Sequence, residues 1–266
     1  VSRSPGRTAP ALDLTPAPAA APLRRMVAAQ ASFELRGMLR NGEQLLLTMV
    51  IPVLLLVLFS TTALLDLGPG ARVDFLTPGV LALAVMSTAF TGQAIATGFE
   101  RRYGALKRLG ATPLPRGGLI AAKTLAVLAV ELVQTALICA VALALGWSPH
   151  GGIGGALAVV VLVLAGTAAF SGFGLLMAGT LRAEATLAAA NLVYLLLLVL
   201  GGVVFPLDRF PAGVAAVLER LPIAALSEGL RDVLRQGAAL PVGALATLLV
   251  WAVAGLVLAA LFFKWE

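Results

Sequence analysis

The sequence predicts an all-α polytopic membrane protein with six transmembrane helices. Three observations carry that prediction. Hydrophobic residues make up 60% of the chain and charged residues 12%, with a mean hydropathy of +0.99, a balance foreign to ordinary soluble domains. Several apolar stretches reach the roughly 20 residues that a hydrocarbon layer of about 30 Å requires. These stretches are continuous, whereas the strands of a membrane barrel would be short and alternating.

Residues 1–22 are rich in Pro and Ala and poor in large apolar side chains, which predicts a disordered tail. They do not read as a secretory signal. No apolar core follows within the first 30 residues, and a twin-arginine reading of Arg24-Arg25 fails because polar residues continue to Gln44. From residue 23 to 43, Met26, Phe33, Met38 and Leu39 are interspersed with Arg24, Arg25, Arg36 and Arg40. This pattern predicts an interfacial helix with its arginines on lipid headgroups; a plain juxtamembrane basic segment is the alternative.

Spans are expected at about 45–65, 75–98, 119–146, 154–181, 187–204 and 242–263. Pro52 is expected to kink the first, and Pro78 to sit near the first turn of the second. Trp147 is placed as an interfacial anchor, and residues 182–186 as a tiny loop before the fifth span. Glycines 151, 155, 166, 172, 174 and 179 suit close helix packing or a subunit interface.

Residues 205–240 are too polar to span yet remain periodic. Val214, Val217, Leu218 and Leu221 form one stripe, and Leu226, Leu230, Val233 and Leu234 a second. Two amphipathic helices at the outer surface, about 211–221 and 224–236, follow, separated by Pro222 and ended by Gly237. Glu228 with Arg231, and Asp232 with Arg235, read as i, i+3 helix support.

Six spans put both termini on one side, and that side holds fourteen of the nineteen Lys and Arg residues. It is therefore expected to be cytoplasmic in a plasma-membrane protein. The net charge of +6 accordingly reports orientation and anionic headgroups, and nucleic acid is not an expected partner. Cys139 is the single cysteine and His150 the single histidine, so no metal site and no intrachain disulfide are expected. No Ser-His-Asp arrangement, no His-Glu-x-x-His pair and no G-x-x-x-x-G-K-[ST] can be read in the chain. The chain is not expected to be an enzyme by itself or to bind a cofactor.

Two stretches invite function. Glu131 lies near the middle of the third span, with Gln134 and Thr135 at i+3 and i+4. This strip, with Asn191, could line a transport path, or it could be hydrogen-bonded structurally to groups such as Asn191 or Ser171. The second stretch, residues 99–118, is a basic cytoplasmic loop. Phe99, Tyr103 and Leu106 give it an apolar edge, Arg101, Arg102, Lys107 and Arg108 flank that edge, and Thr112-Pro113 and Pro115 stop the helix. A helix of this kind over about 99–111 rests on lipid or docks in a groove of a soluble partner.

In this loop the chain resembles the permease subunits of type-2 ABC exporters. Pro78-Gly79 is followed by Glu100, Arg101, Arg102, Gly104, Leu106, Leu109, Thr112 and Pro113, similar to that family's coupling-helix pattern. Pro222, Gly229, Leu230, Arg231, Leu234 and Gly237 resemble its paired outer helices before the last span. The resemblance covers residues 23–264. It implies a single permease domain that pairs with a second permease, identical or related, and with two copies of a separate ATPase carrying ATP and Mg. It also implies an amphiphilic cargo, a drug, lipid or lipid-linked glycan, and ATPase contact through Phe99 to Pro113, including Glu100, Lys107, Arg108 and Leu109. Two other readings remain: an ion-coupled secondary transporter using Glu131, and a membrane scaffold whose basic loop binds lipid.

Overall fold

The computed structural model describes residues 20–62, 71–203 and 207–264, and these are helical with no strand among them. The expected tail before residue 20, the end of the first span beyond residue 62 and residues 204–206 lie outside the described residues. Helix α1 (Leu23–Arg40) precedes α2 (Gly42–Leu45), which passes through a π-helical segment (Leu46–Val50) into α3 (Ile51–Thr61). Helix α4 (Arg72–Met86) passes through a second π-helical segment (Ser87–Gly92) into α5 (Gln93–Arg102). There follow α6 (Ala105–Gly110), α7 (Arg116–Ala144), α8 (Gly152–Thr180), α9 (Ala183–Leu200), α10 (Ala212–Leu218), α11 (Pro222–Gln236) and α12 (Val242–Phe262). Among the described residues five helical stretches are long and apolar enough to cross a membrane: 72–102, 116–144, 152–180, 183–200 and 242–262. The expected first span is represented by the shorter apolar stretch Thr48–Thr61.

The stretch from Arg72 to Arg102 is the centre of the bundle. Almost every residue from Val73 to Gly98 is buried, against α3, α7, α8, α9 and α11. Pro78 lies inside α4 rather than at its first turn, because the helix begins at Arg72, whose guanidinium bonds the Thr62 carbonyl. Small residues let the neighbours approach. A Cβ on Gly174 would meet the Phe90 carbonyl at 2.9 Å, and one on Gly172 would meet the backbone of Gly255 and Leu256 at 2.7 Å. Gly155 and Gly166 receive Val233 and Leu226 of α11. Gly155, Gly166, Gly172 and Gly174 of α8 thus serve packing within the chain.

Three expectations need correction. The helix expected over 99–111 is broken: α5 ends at Arg102, Gly104 adopts φ 69°, and a six-residue α6 starts afresh. A positive φ is open to glycine and costly for other residues, so the chain turns there. Phe99 and Leu106 consequently share no continuous face. Secondly, the tiny loop before the fifth expected span is shorter than expected, with α9 starting at Ala183. Thirdly, Trp147 is buried in the core and is not a surface anchor.

The second outer helix is also deeper than its polarity suggests. Its stripe of Leu226, Leu230, Val233 and Leu234 is buried, and α11 packs on α4, α8 and α12. Leu226 reaches Gly166 while Val233 reaches Gly151 and Gly155, so α11 lies along α8 from its middle to its start. The first stripe is different: Leu218 is buried but Val214 and Val217 are exposed. What lets α11 sink is the satisfaction of its charge. Arg231, 3% exposed, donates from Nε to the Phe75 carbonyl (3.3 Å) and from Nη2 to the carbonyls of Gly202 (2.6 Å) and Val203 (3.0 Å). Nη1 pairs with Glu228 at 2.5 Å, and the guanidinium sits 4.0 Å from the Phe75 ring centroid. Burial pulls its pKa down from the ordinary value and Glu228 opposes that pull. Buried cations need this number of acceptors.

The glycine packing makes a direct prediction. Gly172→Ala lowers the melting temperature of the detergent-solubilised protein by several degrees, in line with an overpacking cost of about 1–3 kcal/mol. Gly243→Ala, at a position with nothing within 4 Å, does not lower it.

Candidate functional site

One end of the bundle collects α1, the end of α5, α6, the start of α7, the α8–α9 turn and the end of α12. A cavity of about 150 Å³ there is lined by residues of α6, of α7 and of the end of α12, among them Leu106, Leu119, Leu256 and Phe263. Leu106 is 1% exposed and anchors α6. The remaining surface of this element is polar: Arg102, Lys107, Arg108, Thr112 and Pro113 are exposed, and Tyr103 is 68% exposed. The Thr112 hydroxyl donates to the Leu109 carbonyl at 2.6 Å, which closes the helix end before Pro113. Arg101 Nη2 donates to the Leu181 carbonyl at 2.6 Å, and Arg102 pairs with Glu184, tying the turn to α9. Arg24, Arg25, Arg36 and Arg40 are exposed along α1.

Beneath this surface lies a buried ionic cluster that sequence reasoning missed. Lys123 of α7, 6% exposed, donates to Glu34 of α1 at 3.1 Å and to Glu100 of α5 at 2.6 Å. One cation therefore joins the first helix, the end of the central stretch and the start of α7. Its sequence signal was a lone lysine on the apolar run that opens the third expected span.

Further along the central stretch a cavity of about 540 Å³ opens between the two π-helical segments and α9. Its polar lining is Asn41, Thr48, Ser87, Thr91, Asn191 and Tyr194, and its apolar lining includes Ile51, Ile95, Phe99 and Leu187. Every lining side chain is uncharged at neutral pH. π-helical segments inside α-helices are frequent at functional sites. Here they place Ser87 and Thr91 on the cavity wall. The only sequence signal was the small and polar run Ser87 to Gly92 within apolar surroundings.

The predicted strip on α7 is divided by the structure. Asn191 faces the cavity. Glu131 instead accepts a 2.6 Å hydrogen bond from the Thr167 hydroxyl of α8, and its Oε1 has no partner among the described residues. Asn191 and Ser171, named as candidate partners, do not bond it. Gln134 accepts from the Thr88 hydroxyl at 2.8 Å and donates to the Thr48 carbonyl at 2.6 Å. Thr135 is half-buried. Among the described residues no group of three or more His, Cys, Asp or Glu converges on a metal position.

A basic, exposed turn following a buried central helix, with a deep-set helix before the last span, is the geometry on which the comparison with known proteins bears. A family model described as ABC-2 type transporter matches residues 27–235, most of the chain. The chain belongs to the ABC-2 type transporter family. It is thus a multi-pass membrane subunit of an ABC transporter, a transporter component and not a catalytic domain, and membership implies partnership with an ABC ATPase. Comparison with curated proteins gave no match.

The ionic cluster of this ABC-2 permease gives a second prediction. Lys123→Met leaves two carboxylates facing each other and destabilises the protein by about 2–3 kcal/mol, less than the roughly 3–5 kcal/mol of fully buried broken pairs because Glu100 is 28% exposed. Adding Glu100→Gln to Lys123→Met recovers part of that loss in a thermal melt, since the like-charge repulsion is then gone.

Proposed function

We propose that this ABC-2 permease exports an amphiphilic cargo, such as a drug, lipid or lipid-linked glycan, driven by ATP hydrolysis on a separate subunit. Two permease copies, identical or paired with a related chain, assemble with two ATPase copies that carry ATP and Mg. The end that holds α6 faces the cytoplasm of the plasma membrane, in keeping with its share of the Lys and Arg residues. Six spans follow if the stretch through α3 completes the first.

One observation carries this reading: Phe99 belongs to both working surfaces. Its ring lines the cavity and stacks on Tyr103 at a centroid distance of 6.2 Å. Tyr103 stands exposed at the turn between α5 and α6, beside Arg102, Lys107 and Arg108. An ATPase groove that takes hold of this basic turn pushes on Tyr103, and Phe99 transmits the push to the cavity wall. The cavity suits a cargo with an apolar body and an uncharged hydrogen-bonding head. A charged head would lose its hydration with no counter-charge to replace it. Glu131 lies behind the wall, so its role here is to bond Thr167 and join α7 to α8.

Two tests separate the surfaces. Lys107→Glu with Arg108→Glu abolishes co-purification of the ATPase while leaving the melting temperature of the permease unchanged, because both side chains are exposed. Leu106→Asp is the poorer test, since it also breaks the anchor of α6. In the reconstituted complex, Asn191→Leu raises the KM for transport of a fluorescent amphiphile, whereas Glu131→Gln leaves it unchanged. Unaltered KM in Asn191→Leu, or transport in the absence of any ATPase, overturns the proposal.

A further inference from the structure

Both walls of the cavity that approach each other from α3 and α4 are π-helical, Leu46–Val50 and Ser87–Gly92. A π-helical turn has one more residue than the α-helix around it, and it shifts the side chains beyond it around the helix axis. Two such segments lying side by side touch each other directly at only a few places, so a group that bonds both bears on how they are spaced. On the second segment, Gly174 of α8 meets the carbonyls of Ala89 and Phe90. Nothing in that contact relates one segment to the other.

Gln134 does. Its side chain is 1% exposed and both ends of the amide are used, each on a different π segment. Oε1 accepts from the Thr88 hydroxyl at 2.8 Å, and Nε2 donates to the backbone carbonyl of Thr48 at 2.6 Å. Thr48 itself, and Ser87 next to Thr88, line the cavity, while Gln134 stands behind the wall on α7. We propose that Gln134 is a positioning residue that fixes the spacing of the two π-helical segments and thereby the shape of the cavity between them. A hydroxyl would be too short to reach both partners, and an apolar side chain would leave the Thr88 hydroxyl without its acceptor. One donor and one acceptor at the end of a glutamine-length arm are what the two partners require. The link to cargo rests on the proposed transport function; the positioning itself does not.

The experiment uses the full chain in lipid nanodiscs, with Cys139→Ala as background and spin labels on Ile51→Cys and Ile95→Cys, which line the cavity just beyond the first and the second π-helical segment. Pulsed dipolar spectroscopy gives a single narrow distance distribution for Gln134 and a broadened or shifted one for Gln134→Leu. Gln134→Glu, measured at a pH low enough to keep the carboxyl protonated, offers one donor and one acceptor again and restores the narrow distribution. Thr88→Val broadens it in part, and combined with Gln134→Leu adds less than it does alone, because both remove the same bond. Binding of the uncharged amphiphile Nile red, followed by its emission, weakens about ten-fold in Gln134→Leu and recovers in the protonated Gln134→Glu variant. A distribution unchanged by Gln134→Leu, or broadened equally by the protonated Gln134→Glu, overturns the positioning role. A broadened distribution with unaltered Nile red affinity supports the positioning role and sinks the cavity as the cargo site.

Discussion

The burial of almost every residue from Val73 to Gly98 is the constraint from which the rest of this bundle follows. A helix that faces lipid on one side can leave its neighbours at the ordinary separation. One surrounded by α3, α7, α8, α9 and α11 forces close approach wherever the bundle must close around it, and close approach in lipid is made by small residues and interhelical hydrogen bonds. Gly174 against the Phe90 carbonyl, Gly98 against Thr186, and Gly79 against the Val203 carbonyl are three such places on one stretch. Burial also confines the polar side chains of the stretch to partners in the protein, and those of Gln93 and Thr97 have none among the described residues. Thr88 finds Gln134 and Thr77 finds the Val73 carbonyl. Ser87 and Thr91 turn instead toward the cavity.

Charge is handled at the two ends of the bundle by opposite means. Near α6, Lys123 is matched by two carboxylates from different helices. Near α11, Arg231 is held mainly by three main-chain carbonyls, with one partly exposed carboxylate. Free carbonyls are available where a helix ends or a turn interrupts one, as at Gly202 and Val203 beyond α9. Arg231 uses the first turn of α4 and the turn at Gly202 and Val203, so the deep position of α11 depends on how α4 begins and α9 ends. In the Lys123 cluster each partner is a side chain on its own helix, and its geometry moves whenever one of those helices moves.

What the sequence made legible was the layer of organisation that hydropathy and caps encode. Composition and run length placed the long helices, Gly237 ended α11 in the left-handed conformation expected of a cap, and the pattern of Gly104, Leu106, Thr112 and Pro113 pointed to the family. The losses have physical reasons. Residues around Gly104 favour helix on both sides, and one glycine inside such a run can be tolerated or can turn the chain. Only its φ of 69° decides. The polarity of α11 places it at the surface, with Arg231 read as an i, i+3 partner of Glu228, whereas its further acceptors are carbonyls contributed by residues 75, 202 and 203. The π-helical segments depend on register between neighbouring helices and have no composition of their own. Gln134 could be seen as polar and central, but which helices it would join could not.

The break at Gly104 bears on how a push at the basic turn would travel under the proposed mechanism. Had α5 and α6 formed one helix, a force on α6 would have been carried rigidly along the central stretch. With the left-handed turn between them, α6 can move on its Leu106 anchor without dragging the backbone of α5. The residues that lead into the turn carry side-chain contacts of their own: the Phe99–Tyr103 stack, the Arg102–Glu184 pair to α9 and the Glu100–Lys123–Glu34 cluster to α7 and α1. Each of these leads to a different helix. The same displacement of the turn would therefore reach the cavity wall at Phe99, the α9 wall that carries Asn191 and Tyr194, and α1. A hinge that sends one push along three separate contacts is better suited to reshaping a cavity than a rigid rod, which would move its walls together.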